Sequence, residues 1–155
     1  MIEVVIVLLT MGILTAVAAP KFFDSLLFHR VESAARRVKA DLELARTQAR
    51  LTSATQSVTF VNSVYTLSNT KNLDRPAAVY SVDLKKQPYS LDSATPDFSS
   101  ATNVSFDGYG TPSSGGTVVL VAKAHQATVT LNGTTGDVTI TSSHSGGRTA
   151  QVAGN

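Results

Sequence analysis

Glu3 is the first residue in this chain able to do chemistry, a lone carboxylate in an otherwise uncharged start. A carboxylate near the end of a membrane helix is costly unless it is paired or reaches the interface. Glu3 therefore stands either as an ion-pairing group or as an interfacial residue at a helix start, where the helix dipole also favours it. Three histidines, His29, His125 and His144, are scattered without a metal-ligand spacing. Asp107-Gly108-Tyr109-Gly110 supplies one acid in a short glycine turn. That is too few oxygens for calcium, and a structural turn is the simpler role. No Ser–His–Asp set, supported carboxylate pair or phosphate loop is present. Zero Cys removes disulfides, thiolate zinc sites and Cys nucleophiles. The inventory names no catalytic residue, no metal and no cofactor, and points away from an enzyme.

The elements that must carry these residues follow from how charge is distributed. The 155 residues fit one domain with a modest core. They are 43% hydrophobic and only 15% charged, so the surface is polar without being ionic. Residues 1–20 carry one charge, Glu3; residues 21–51 carry seven Lys/Arg against four acids; residues 52–155 carry six of each sign. The net charge of +2 thus comes from one short basic segment rather than a basic body.

Met1 to Ala19 is apolar apart from Glu3, Thr10 and Thr15. Nineteen helical residues span roughly 28 Å, close to the hydrocarbon core of a bilayer. A buried core helix would not be apolar all round at the chain start. A cleaved signal peptide would need a basic start and a shorter apolar core. A retained membrane helix is favoured. Lys21 and Arg30 follow this helix, which taken literally places the body in the cytoplasm. A basic leader ahead of Met1 would resolve that conflict.

Pro20 predicts a kink or a boundary. Beyond it, Leu27, Val31, Ala34, Val38, Leu42, Ala45 and Ala49 recur at spacings of three and four, a single apolar stripe on a helix reaching Leu51. Asp41 and Glu43 stand three or four residues from basic positions, which predicts surface ion pairs. Gly12 and Pro20 bracket a stretch weakened by low propensity and a missing N–H.

From Thr52 onward 31 of 104 residues are Ser or Thr, suited to strands and turns. Predicted strands are 56–61, 64–68, 77–84, 103–106, 117–122, 127–131 and 137–141. Asn132-Gly133 to Gly136-Asp137 reads as a hairpin turn. Residues 87–101, with Pro88 and Pro96, read as a long loop, and residues 142–155 as a mobile Gly/Ser-rich tail. The fold class is α+β, a long N-terminal helix packed on an antiparallel β-sheet head. Its parts are a membrane and assembly segment (1–20), an amphipathic segment (21–51), a β head (52–141) and a tail (142–155).

Met1-Ile2-Glu3-Val4-Val5-Ile6-Val7 resembles the mature N-terminus of type IV pilins and type II secretion pseudopilins. Met1, Ile2 and Glu3 match the third to fifth mature positions, and Gly12 and Pro20 fall where that family places a helix Gly and a helix Pro. Leu44 to Ala49 leading into Gln56–Phe60, then Phe106-Asp107-Gly108-Tyr109-Gly110-Thr111-Pro112, then Gly136-Asp137, resembles the H-type minor pseudopilin domain (the GspH/FimT group). The leader and first two mature residues of that pattern are not in this chain.

The resemblance implies a structural subunit that polymerises through its helix into a type II secretion pseudopilus or type IV pilus, as a minor component. It implies the inner membrane, with the head in the periplasm or at the cell surface. It implies other pilin or pseudopilin subunits as partners, and prepilin peptidase for the full-length precursor. Glu3 would pair with the N-terminal amine of a neighbouring subunit, and the stretch from Gly12 to Pro20 would unwind on assembly. Gly146-Gly147-Arg148 is similar to a basic C-terminal motif by which some relatives bind DNA. It carries one Arg, where an electrostatic grip on nucleic acid needs several charges. DNA uptake and a non-polymerising membrane anchor are the alternatives.

Overall fold

The computed structural model describes residues 2–71, 78–144 and 148–152, and the side chains of 2–13, 24–70 and 78–143. One helix, α1 (Ile2–Thr52), precedes nine strands: β1 (Gln56–Val61), β2 (Val64–Lys71), β3 (Val79–Asp83), β4 (Ser93–Asp97), β5 (Asn103–Phe106), β6 (Gly116–Ala122), β7 (His125–Leu131), β8 (Val138–His144) and β9 (Arg148–Val152). Pro20 lies within α1, and the helical backbone runs through it.

The strands form the expected antiparallel head, divided into two sheets. The four-stranded sheet has the order β3-β2-β1-β5, and the five-stranded sheet β4-β6-β7-β8-β9. The helical stripe Val31, Ala34, Ala35, Val38, Leu42, Ala45 and Ala49 is buried against both. Val58, Phe60, Leu67, Val104 and Phe106 meet it from the smaller sheet, and Val118, Leu120, Val129 and Leu131 from the larger. The alternation of these strands, apolar in and mostly Ser/Thr out (Val119 and Val121 of β6 are among the exceptions), gives each sheet one buried face. Four of the seven buried stripe residues are alanines, which let the helix approach the sheets closely.

Several local choices follow from single residues. Asn62 and Ser63 both take positive φ (50° and 68°), the conformation that a two-residue hairpin between β1 and β2 requires. At the β7–β8 turn, Asn132 Oδ1 accepts the Thr134 and Thr135 amides at 2.8 and 3.1 Å.

Two expectations are corrected. Ser93–Asp97 is a strand inside the predicted loop 87–101. Among the described residues it is an edge strand paired with β6 alone, where Pro96 costs no inner ladder bond. The predicted tail is also shorter than read. Ser142–His144 extend β8, and Arg148–Val152 form β9 alongside it, with Ile140 opposite Val152 and His144 opposite Arg148. An edge strand is held by main-chain hydrogen bonds and covers the open edge of β8. It needs no apolar pattern, so none announced it. Ala77, where β3 was predicted to begin, lies outside the described residues, as do Gly146 and Gly147.

Candidate functional site

Glu3, Gly12 and Pro20 lie in order along one helix. Glu3 is exposed in its first turn. Gly12 is exposed, and a Cβ there would meet nothing within 4 Å. Pro20 contributes helical backbone; its side chain lies outside the described residues. Glu3 and Pro20 are separated by roughly 26 Å of helix. Arg148 opens β9 in the larger sheet, so the structure does not bring it together with the helical three. Its side chain also lies outside the described residues.

The N-terminal part of the helix presents an unusual surface. Ile2, Val4, Val5, Ile6, Val7, Leu8, Leu9, Met11 and Ile13 are each 54–75% exposed. Their faces point all round the helix, so no single docked element would cover them. A contiguous apolar surface of this kind marks a contact with membrane or protein. Among the described residues, no helix is long and apolar enough to cross a membrane. The described side chains of the apolar run stop at Ile13.

The second half of the helix is fastened to the head by polar contacts that sequence reading missed. Asp41 was read as a surface ion-pairing residue, but it is buried. It accepts the Tyr65 hydroxyl at 2.5 Å and the Tyr80 hydroxyl at 2.9 Å, and receives Arg37 Nε at 3.2 Å. Arg37 also donates to the Tyr80 hydroxyl and lies 5.8 Å from its ring centroid. Burial, and then the Asp41 charge, push the Tyr65 phenol far above its ordinary range. Tyr80 moves the same way, through burial and then its hydrogen bond to Asp41. The signal was available: Asp41 follows Val38 by three and precedes Leu42, which places it on the apolar stripe. Glu43 does form the predicted surface pair, with Lys39 at 3.8 Å.

One turn further on, Arg46 spans the two sheets. It donates to the carbonyls of Gly110 (3.2 Å), Gly136 (3.1 Å) and Thr135 (2.5 Å). Gly110 follows β5 of the smaller sheet, and Gly136 sits in the β7–β8 turn of the larger. Both glycines have positive φ, and a Cβ at Gly110 would come within 2.3 Å of Arg50 Nε. The Asp107 motif is a turn: Asp107 Oδ1 accepts the amides of Tyr109 and Thr111 at 3.0 and 2.8 Å.

His29 and His125 make separate contacts. His125 Nε2 lies 2.8 Å from Asp24 Oδ1, and His29 meets the edge of Phe28. Among the described residues, no three His, Asp or Glu side chains gather as a metal site would require. The grooves along the helix are shallow. One of them, about 630 Å³, is lined in part by Leu26, Arg30, Arg37 and Tyr89. Arg37 is already held by Asp41 and Tyr80.

The arrangement is an exposed apolar helix end and a set of polar contacts between helix and head. None of the curated proteins matches the chain. Two crystal structures of the type IV minor pilin FimU from Pseudomonas aeruginosa are similar to it. One is 17% identical, with a TM-score of 0.43, covering 81% of this chain and 90% of that one. The other is 20% identical, with a TM-score of 0.41, covering 79% and 92%. The family model described as "Type II transport protein GspH" matches residues 34–155, which takes in the C-terminal part of the helix and the whole head. On that match the chain belongs to the GspH family, a pilin-like protein of the minor-pseudopilin type.

Proposed function

We propose that this protein is a minor subunit that assembles through its N-terminal helix into a type II secretion pseudopilus or a type IV pilus. The observation that carries the proposal is the run of large apolar side chains exposed all round residues 2–13, projecting from a head that is otherwise folded and polar. Such a helix half is stable in two surroundings. One is the bilayer, where the segment 1–20 would store the subunit in the inner membrane. The other is a filament core, where the same side chains would pack on those of neighbouring subunits. The head faces outward and sets contacts with neighbours. The precursor would be a substrate of prepilin peptidase.

Within this scheme Glu3 pairs with the N-terminal amine of an adjacent subunit. Its exposed position in the first helical turn supports that role. The absence of any Cβ neighbour at Gly12 is compatible with unwinding between Gly12 and Pro20 during assembly. The test is Glu3→Ala in the full-length protein. The variant enters the membrane fraction at the normal level and is missing from sheared or purified filaments. Normal incorporation overturns the proposal. A filament map with unbroken helical density from Gly12 to Pro20 overturns the unwinding.

A further inference from the structure

The head's grip on the helix reaches down to Asp24, four residues past Pro20. His125, the first residue of β7, is 2% exposed and places Nε2 2.8 Å from Asp24 Oδ1. Phe28, one turn above Asp24, packs edge-on against the His125 ring with centroids 5.9 Å apart. Asp24 itself is half exposed. The contact therefore adds little to the core, whose fully buried helical residues begin at Val31 with Leu27 packed against them. Its position gives it a different use. It lies where the clasped half of the helix gives way to residues 2–13, whose side chains are open to solvent. A helix held only from Leu27 upward leaves about one more turn free to bend or swing. A buried imidazole gripping Asp24 removes that freedom.

We propose that Asp24 and His125 are positioning residues that fix the angle between the head and the N-terminal half of the helix, and that this fixed angle is needed for entry into filaments. The second clause rests on the assembly function proposed above. Phe28 sets the imidazole plane, and Asp24 supplies the acceptor. The pair acts on orientation rather than on the stability of the head. Loss of either partner spreads the helix over many directions, and only a fraction of molecules then present the apolar half in the productive one.

The test uses the full chain in detergent micelles. The protein has no cysteine, so Val7→Cys and Thr130→Cys give a unique pair of spin labels at two exposed positions, one on the free helix and one on β7. Electron–electron resonance on the parent yields a narrow distance distribution. Asp24→Ala broadens it by about twofold, as a hinge released at one point would, while the thermal unfolding midpoint of the head moves by only a few degrees. His125→Gln, which keeps an N–H donor at the same depth, stays narrower than His125→Ala. An unchanged width in Asp24→Ala overturns the proposal. In cells, Asp24→Ala lowers filament incorporation by about threefold to tenfold, in line with the reduced competent fraction. Broadening with full incorporation overturns the role in assembly. Full incorporation of Glu3→Ala would instead overturn the assembly function itself, and the resonance result would stand.

Discussion

The carboxylate of Asp41 and the hydroxyl of Tyr65 meet at 2.5 Å in the buried seam between the helix and β2. Tyr80 of β3 joins the same carboxylate, so one helical side chain holds two strands of the smaller sheet. A hydrogen bond to a charged acceptor contributes about 1.5–3 kcal/mol. Tyr65→Phe is therefore expected to lower stability by about that amount. Asp41→Ala is expected to cost more, because it strands two hydroxyls and Arg37 together. Denaturant unfolding of the full chain in detergent measures both. A Tyr65→Phe change within error of the parent would show that the contact contributes nothing.

Both tyrosines bind their protons more tightly in the folded protein than in the unfolded chain. Their stabilising effect is complete below the unfolded phenol value of about 10 and is lost as pH rises above it. Unfolding curves are expected to be flat from neutral pH to about 9.5 and to fall steeply beyond 10. The Tyr65→Phe and Tyr80→Phe double variant starts lower and falls less. Equal alkaline slopes in parent and variant would contradict this.

Arg46 is irreplaceable by lysine at its site. Its planar fork reaches the carbonyls of Gly110, Thr135 and Gly136 together, and a single ammonium cannot. Arg46→Lys and Arg46→Ala are both expected to cost about 1–2 kcal/mol. Hydrogen exchange is expected to quicken at 108–111 and 133–137 and to stay unchanged in β6. Exchange that quickens at only one of the two turns would mean that Arg46 does not couple the sheets.

Leu42 and Leu44 offer a paired test of the helical stripe. Leu42 is 1% exposed and Leu44 37%. Leu42→Ala should lower stability by about 2–5 kcal/mol through lost burial and a cavity. Leu44→Ala should change it by less than about 0.5 kcal/mol. Thermal unfolding of the two variants side by side separates them, and similar losses would mean that the stripe is misplaced.

The helix and most strands were legible in the sequence because their signals are local and repeated. Val31 to Ala49 keeps one helical face apolar, and Val129 to Leu131 alternates across Thr130. What escaped depends on partners. Ser93–Asp97 has a Pro and no strong alternation, and it becomes a strand only because β6 offers an edge. β9 is held by main-chain pairing with β8, which no side-chain pattern encodes. The division into two sheets follows from which strands find each other. The clasps were half legible. Asp41 sat on the apolar face in plain view, but its tyrosine partners lie 24 and 39 residues away. The pairings of Asp24 with His125 and of Arg46 with two turns join residues 64 to 101 positions apart.

The alanine-rich stripe has a mechanical consequence. Small side chains at 34, 35, 45 and 49 form a smooth track, with few knobs to resist sliding of the helix along the sheets. Asp24, Asp41, Arg46, Gln48 and Arg50, each hydrogen-bonded to the head, add resistance over roughly 39 Å of helix. A tug on the N-terminus along the helix axis loads these attachments in shear, together rather than one after another. The head then moves as cargo on a rod, with the pull shared between these polar pins and the buried side chains of Val31, Val38 and Leu42.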